Sequence, residues 1–102
     1  MIFETLYESA QRNELLMVEG GMCHFHLRRD AQLTIREIIS VRPGAGSEML
    51  SVLRRIPGAR TLFAKCPVDL TSNAWYARRG FVLVRVETTK TGRALNCWEL
   101  TL

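Results

Sequence analysis

Length, composition and charge limit the classes to which this chain can belong. Its 102 residues are 47% hydrophobic and 24% charged, with a formal net charge of +4, which is typical of one folded domain and excludes disordered and fibrous proteins. The apolar runs fall well short of the ~20 residues that cross a bilayer, and the N-terminal stretch lacks the basic and apolar segments of a signal peptide. We therefore predict one cytoplasmic domain over residues 1–102, with no membrane partner.

The net charge and the cysteines limit the kinds of ligand that the chain can bind, but they do not identify one. A net charge of +4 permits an anionic ligand, but it does not distinguish nucleic acid, a phosphorylated coenzyme and simple solubility. Cys23, Cys66 and Cys97 are an odd number, lie far apart and show no CxxC spacing. They are interpreted as free buried thiols, and no metal site is predicted.

The first part of the chain is predicted to contain a helix and two strands. Residues 2–17 carry apolar side chains at helical spacing, although Leu15–Val18 fits the start of a strand equally well. Residues 22–28 and 33–41 alternate apolar and polar side chains, which is typical of half-buried strands. The turn between them predicts an antiparallel hairpin, and Pro43 ends the second strand because proline cannot donate to a ladder.

A helix and a further strand follow that hairpin. Met49, Leu50 and Leu53 recur at helical spacing, and Pro57-Gly58 ends the helix. A strand at residues 61–66 then completes a strand–helix–strand crossover, which implies parallel pairing of its two strands. The remaining predicted elements are a short helix that ends at Arg79 and two strands, at residues 81–87 and 94–102.

This order of elements predicts an α+β fold of α/β-type with three layers. The sheet is expected to be mixed and mostly antiparallel, with the parallel strand–helix–strand unit at its centre. Helices are expected to pack against it, because each element must bury its apolar face.

A carboxylate lies in the strand that leads into the crossover. Strict alternation places Glu37 on the same face as Leu33, Ile35 and Ile39. Apolar neighbours would desolvate the carboxylate and favour proton binding, which suits a general base. The alternative is structural: Glu37 pairs with an arginine or lies at an unburied sheet edge.

A glycine-bearing turn joins this strand to the helix. Gly44 and Gly46 flank Ala45 directly before the helix start. Such a turn can aim backbone N–H groups at a phosphate, and the positive end of the helix dipole lies at the same point. The pattern indicates an anion site close to the candidate base.

The histidines and the paired arginines are given more ordinary roles. His24 and His26 share a strand face without an acid or cysteine at ligand spacing, so we expect them to line an acceptor site or lie on the surface. The pairs Arg28-Arg29, Arg54-Arg55 and Arg78-Arg79 have no interleaved aromatic platform. We expect them to be solvated or to contact coenzyme phosphates, and we predict no nucleic-acid partner.

Two motifs resemble those of the GCN5-related N-acetyltransferase (GNAT) superfamily, whose members transfer an acyl group from acyl-coenzyme A to an amine. In that family the central strand ends in a Val-x-Pro-like segment, and a glycine-rich turn then opens a helix. Here Val41-Arg42-Pro43 runs directly into Gly44-Ala45-Gly46-Ser47. The basic residues that usually separate the proline from the glycines are absent, and Arg42 precedes the proline instead.

The second motif lies on the short helix and the strand after it. The segment from Asp69 to Phe81 is similar to the family's Asn-x-x-Ala-x-x-Phe-Tyr-x-x-x-Gly-Phe. Tyr76, Gly80 and Phe81 match, while Asp69 and Ser72 stand where asparagine and alanine are common.

The resemblance, which covers residues 22–102, implies an acetyl-CoA-dependent N-acyltransferase that moves an acetyl group directly to a primary amine. Acetyl-CoA is the implied co-substrate, with no metal. Glu37 is the implied general base and Tyr76 the proton donor to the coenzyme sulfur, although a tyrosine that only packs is the alternative. The oxyanion is implied to bind a backbone N–H near Ile39. The implied coenzyme contacts are Ile39, Val41, Arg42, Gly44, Ala45, Gly46, Ser47, Asp69 and Ser72.

Members of the family normally have another strand and more helix before the matching region, and those elements help to form the acceptor pocket. The acceptor amine is therefore not identified, and a homodimer could complete the pocket. The alternative function is a non-catalytic coenzyme-A-binding or protein-interaction domain of the same fold.

Overall fold

The computed structural model describes residues 2–102, in which three helices pack on one six-stranded sheet. The strands lie in the order β1-β2-β3-β4-β6-β5, and β3 with β4 is the only parallel pair in this part of the chain. The predicted α+β fold is confirmed. Its elements are α1 (Ile2–Gln11), β1 (Leu15–Val18), β2 (Gly21–Leu27), β3 (Gln32–Ser40), α2 (Ala45–Leu53), β4 (Thr61–Pro67), α3 (Ser72–Arg78), β5 (Val82–Thr88) and β6 (Ala94–Thr101).

The helices divide between the two faces of the sheet. The α2 and α3 helices cover one face, where a single apolar cluster joins Met49 of α2 and Tyr76 of α3 to Leu33, Leu62 and Trp98 of the strands. On the other face, α1 lies over the edge formed by β1 and β2. No helix within residues 2–102 is long and apolar enough to cross a membrane.

The predicted first helix is too long, and the strand alternative at its end is correct. The α1 helix stops at Gln11, and Asn13 adopts a left-handed backbone with φ 58°. Leu15–Val18 then forms β1, which pairs with β2 through a tight turn at Glu19 and Gly20. Helical spacing could not reveal this because Leu15 and Leu16 satisfy both periodicities.

Both histidines hold the N-terminal elements to the sheet. The predicted surface position is wrong for His24, whereas the His26 side chain is partly exposed. His24 is buried, and its Nε2 lies 2.7 Å from Ser9 Oγ of α1. His26 Nδ1 hydrogen-bonds the Glu14 carboxylate, which also accepts from Arg12 Nε. Burial raises the pKa of Glu14, but these two hydrogen bonds outweigh it and leave the pKa below its usual value. Neither histidine lines a cavity described below.

The three thiols are free and buried, as predicted. Burial raises the pKa of Cys23 to about 12, which makes this thiol unreactive at neutral pH. Within residues 2–102 no group of three or more histidine, cysteine or acidic side chains is arranged to hold a metal ion.

Candidate active site

The parallel strands β3 and β4 separate part of the way along their length. They pair from Gln32–Thr61 to Ile35–Ala64 and no further, although β3 continues to Ser40 and β4 to Pro67. The separation leaves one edge of β3 without a strand partner. Two cavities open there.

The larger cavity, here called the α2 cavity, has a volume of about 440 Å³ and lies between the end of β3, the start of α2 and one side of α3. A concave site of this size is in the range that holds small ligands. Of the predicted site residues, it contains Arg42, Gly44, Gly46, Ser47, Ser72 and Tyr76.

The start of α2 presents unsatisfied backbone donors to this cavity. Gly44 caps the helix in a left-handed conformation with φ 86°, and its carbonyl accepts from the Glu48 N–H at 3.0 Å. The N–H groups of Gly46 and Ser47 have no partner within the described part of the chain. These donors and the helix dipole are the features that an anion site of the predicted kind requires.

Packing against α3 explains why position 46 is glycine. A Cβ at Gly46 would lie 3.0 Å from the Trp75 ring, closer than a side chain there could sit without movement of the indole. Ala45 is fully buried beneath the turn, so it supports the anion site and does not line it.

The arginine predicted to meet phosphate is already bound by the protein itself. Arg42 lies at the rim of the α2 cavity, but one guanidinium nitrogen is 2.7 Å from the Glu48 carboxylate and Nε donates to the Glu19 carbonyl at 2.9 Å. A second arginine lies in the same cavity. Arg79 also lines the cavity and lies over the Trp75 ring, with its Cζ 5.7 Å from the ring centroid.

A β-bulge in β3 overturns the predicted environment of Glu37. Ile35 is opposite Phe25 and Glu37 is opposite His24, so Arg36 is an extra residue that β2 does not match. A bulge of this kind breaks the alternation of side chains. Glu37 therefore lies on the face of His24, opposite to Leu33, and it is exposed. The predicted burial of this carboxylate is wrong.

Of the two structural alternatives predicted for Glu37, the unburied sheet edge is correct. The carboxylate is unburied, but no ion pair or hydrogen bond with an arginine reaches it within residues 2–102. It lines the second cavity instead.

The bulge also changes which amides of β3 face the gap. The Val41 N–H donates to the Gly20 carbonyl at 2.8 Å. Because hydrogen-bonded and non-hydrogen-bonded pairs alternate along an antiparallel ladder, Ile39 turns its amide toward β2. Ile38 and Ser40 turn theirs toward the gap. Ile39 and Val41 lie outside both cavities, whereas Ile38 and Ser40 line the α2 cavity.

The smaller cavity, here called the β4 cavity, has a volume of about 260 Å³. One wall comes from the bulge, with Arg36 and Glu37, and the other from β4, with Lys65 and Cys66. The Cys66 thiol lies 3.1 Å from Ser72 Oγ, which fixes the start of α3 against β4.

Tyr76 on α3 stands where the two cavities meet. It lines both of them, together with Ile38 and Ser72. Within residues 2–102, every fully buried side-chain oxygen has a hydrogen-bond partner. The Tyr76 hydroxyl has no partner there. It is therefore not fully buried, and it reaches the cavity space. Burial raises the pKa of Tyr76 to about 12, which keeps the phenol protonated at neutral pH.

Asp69 does not reach either cavity. It lies in the exposed turn before α3 and outside both cavities, 4.0 Å from Arg93 in the turn between β5 and β6. Asn73 is the polar residue that organises this end of α3. Its amide donates to the Pro67 carbonyl, and its oxygen accepts from Asn96 and Trp98 Nε1.

Known structures share this architecture. A protein assigned to the GNAT acetyltransferases, from Desulfovibrio desulfuricans, matches 80% of this chain and 60% of its own length with a TM-score of 0.69 and 19% sequence identity. The chain has the GNAT fold. At this identity the likeness shows the fold alone. A scan against protein-family models and a search of curated proteins both find no match.

Two further GNAT-fold neighbours differ in how much of them this chain spans. The ribosomal-protein-S18-alanine N-acetyltransferase of Escherichia coli matches 96% of this chain and 76% of its own, with a TM-score of 0.69 and 20% identity. An acetyltransferase of Salmonella typhimurium modifies the N-terminal serine of ribosomal protein L7/L12. It matches 81% of this chain and 57% of its own length, with a TM-score of 0.68 and 20% identity. The chain thus spans less than two thirds of the Desulfovibrio and Salmonella proteins.

Proposed function

We propose that the chain is an acetyl-CoA-dependent N-acyltransferase that moves an acetyl group directly to a primary amine. The observation that carries this proposal is the meeting of the α2 cavity and the β4 cavity at the Tyr76 hydroxyl. One cavity offers anion donors and the other offers a carboxylate. A two-substrate transfer needs that arrangement, because both reactants must meet at one point.

The residues of the α2 cavity fit a phosphorylated coenzyme. The free amides of Gly46 and Ser47 would hold its phosphates at the positive end of α2, and Arg79 would add a cation. The outward amides of Ile38 and Ser40 extend along the unpaired edge of β3 toward Tyr76. An extended chain with amide groups can hydrogen-bond to such an edge. One of these amides would also stabilise the oxyanion, in place of the predicted Ile39.

The β4 cavity supplies the base. An ammonium acceptor first loses a proton to the Glu37 carboxylate, directly or through water. Its nitrogen then forms a C–N bond with the thioester carbon while the C–S bond breaks, and the electron pair of that bond leaves with sulfur. The nitrogen releases a second proton. Tyr76 donates a proton to the thiolate and is reprotonated from solvent.

The test pairs coenzyme binding with turnover. Calorimetry should detect acetyl-CoA binding, and thiol release on an amine panel should detect transfer. Tyr76→Phe should lower kcat by about 10²–10⁴-fold without weakening coenzyme binding, because only the departing sulfur uses the hydroxyl.

Tyr7→Phe is the matched control, since Tyr7 is exposed on α1 and far from both cavities; it should retain wild-type kcat. A Tyr76→Phe variant that turns over at the wild-type rate would refute the proposed proton donor. Absence of both binding and transfer would refute the proposed function.

One observation favours the alternative of a non-catalytic coenzyme-A-binding domain: the Arg42 guanidinium is bound by the Glu48 carboxylate. Binding of acetyl-CoA without transfer to any amine would support that alternative. The homodimer stays a prediction.

A further inference from the structure

Arg36 and Glu37 are sequence neighbours that line the same cavity. In a regular strand two successive residues point to opposite faces, but the bulge at Arg36 breaks that rule. Both residues are exposed, and both contribute to the wall of the β4 cavity. The fold therefore places Arg36 and Glu37 together in the lining of one small cavity that Tyr76 also lines.

Neither of these two charges is neutralised by the protein. Within residues 2–102 no ion pair or hydrogen bond reaches the side chain of Arg36 or Glu37. Lys65 on the opposite wall differs, because its Nζ lies 2.9 Å from the Glu87 carboxylate. Lys65, Arg85 and Cys97 together hold the pKa of Glu87 at about 2, so this pairing persists at neutral pH. Among the described residues 2–102, the β4 cavity thus offers one free cation and one free anion.

We propose that the acceptor is a free α-amino acid, with its ammonium at Glu37 and its carboxylate at Arg36; this rests on the proposed function. A zwitterion matches the two unpaired charges in sign, and a guanidinium binds a carboxylate in a two-point geometry. The volume of about 260 Å³ is below the ~300–1,000 Å³ of sites for drug-sized ligands. It suits a single amino acid.

Acetyl transfer to an α-amino acid changes only its nitrogen. The α-ammonium gives one proton to Glu37, and the freed amine forms the C–N bond as the thioester C–S bond breaks. The second nitrogen proton is released, and the thiolate takes one from Tyr76. The products are an N-acetyl amino acid and free thiol, and the carboxylate on Arg36 takes no part in bond making.

The experiment compares each L-amino acid with its carboxamide, which keeps the amine and removes the negative charge. With acetyl-CoA in excess, the wild-type kcat/KM for the preferred amino acid should exceed that for its carboxamide by at least about tenfold. In Arg36→Gln this ratio should fall toward 1, mainly through a higher KM for the amino acid. Arg36→Lys should restore part of it. Arg29→Gln should keep the wild-type ratio, since Arg29 is exposed in the β2–β3 turn and lies outside both cavities.

Several outcomes separate this inference from the proposed function. Equal turnover of the amino acids and their carboxamides would overturn the inference and leave the N-acyltransferase standing. Higher turnover of a peptide with an acidic N-terminal residue than of any amino acid would also overturn it.

If the protein binds acetyl-CoA without transfer, the proposed function fails, and NMR titration of the amino acids onto the CoA complex tests the site alone. Amide shifts confined to residues 35–38 and 64–66, present for amino acids and absent for carboxamides, would support the zwitterion site. No such difference would overturn it.

Discussion

The β3 strand has two halves with different surroundings, and Arg36 divides them. From Gln32 to Ile35 the strand pairs with β2 on one edge and β4 on the other, and Leu33 is fully buried. From Glu37 to Ser40 it pairs with β2 alone, and Ile39 is 41% exposed. The paired half holds the core together. The open half provides unpaired backbone groups and charged side chains to the two cavities, so the core packing and the cavity walls lie in separate segments of one strand.

Substitution in each half should separate these two contributions most clearly. Leu33→Ala removes a fully buried side chain and should lower the free energy of unfolding by about 2–5 kcal/mol. Ile39→Ala should cost less than about 1 kcal/mol, because much of that side chain is already in water.

Chemical denaturation with both variants measures the difference. The two leave the pairing of the strand unchanged, which makes each the control of the other. Equal destabilisation by the two substitutions would show that the open half is as firmly packed as the paired half, and would contradict the division.

The sequence predicts the paired half well and the open half poorly, for a physical reason. Leu33 and Ile35 are apolar at period 2, and the structure places both on the core face. Beyond them, Ile38 and Ile39 are adjacent and apolar, so either alternation is satisfied and the bulge has no local signature. Unbroken alternation would place Glu37, Ile39 and Val41 on the face of Leu33. The extra residue at Arg36 turns Glu37 and Ile39 to the opposite face, and Val41 lies outside both cavities.

The turn before α2 has a local signal in the sequence, and the anion site there stays a prediction. Gly44 supplies the left-handed residue of this turn, with φ 86°, although Gly46 is required by the Trp75 ring that packs on it. By contrast, the pairing of Arg42 with Glu48 and the position of Arg79 over Trp75 depend on where α2 and α3 meet. His24 is a similar case, since its partner Ser9 is 15 residues away. No spacing rule indicates such contacts.

The anion site follows the open half of β3, and a substitution at Gly46 tests it. Gly46→Val places a branched side chain where a Cβ would already lie 3.0 Å from the Trp75 ring. We expect it to weaken coenzyme A binding by about 10- to 100-fold, which corresponds to about 1.4–2.7 kcal/mol.

Calorimetry with coenzyme A measures this change. Ser51→Val is the control, because it introduces the same branched side chain at an exposed position of the same helix; it should bind as the wild type does. Wild-type affinity in a folded Gly46→Val variant would show that the start of α2 does not hold the coenzyme.

The smallest expected effect concerns the end of the open half, where Arg42 is held by Glu48 at 2.7 Å. Both side chains are at least one-third exposed, so their ion pair is worth at most ~1 kcal/mol. Glu48→Gln removes the competing carboxylate and should let the guanidinium turn toward a bound phosphate. We expect coenzyme A to bind about 2- to 5-fold more tightly, and the affinity to become more sensitive to salt.

Glu8→Gln provides the control, since it makes the same change in net charge on the exposed side of α1. It should alter neither the affinity nor its salt dependence. Weaker binding in Glu48→Gln would mean that the Arg42–Glu48 pair shapes the turn before α2. In that case the ion pair stabilises the turn that forms the anion site, and Arg79 would be the side-chain cation that contacts the coenzyme.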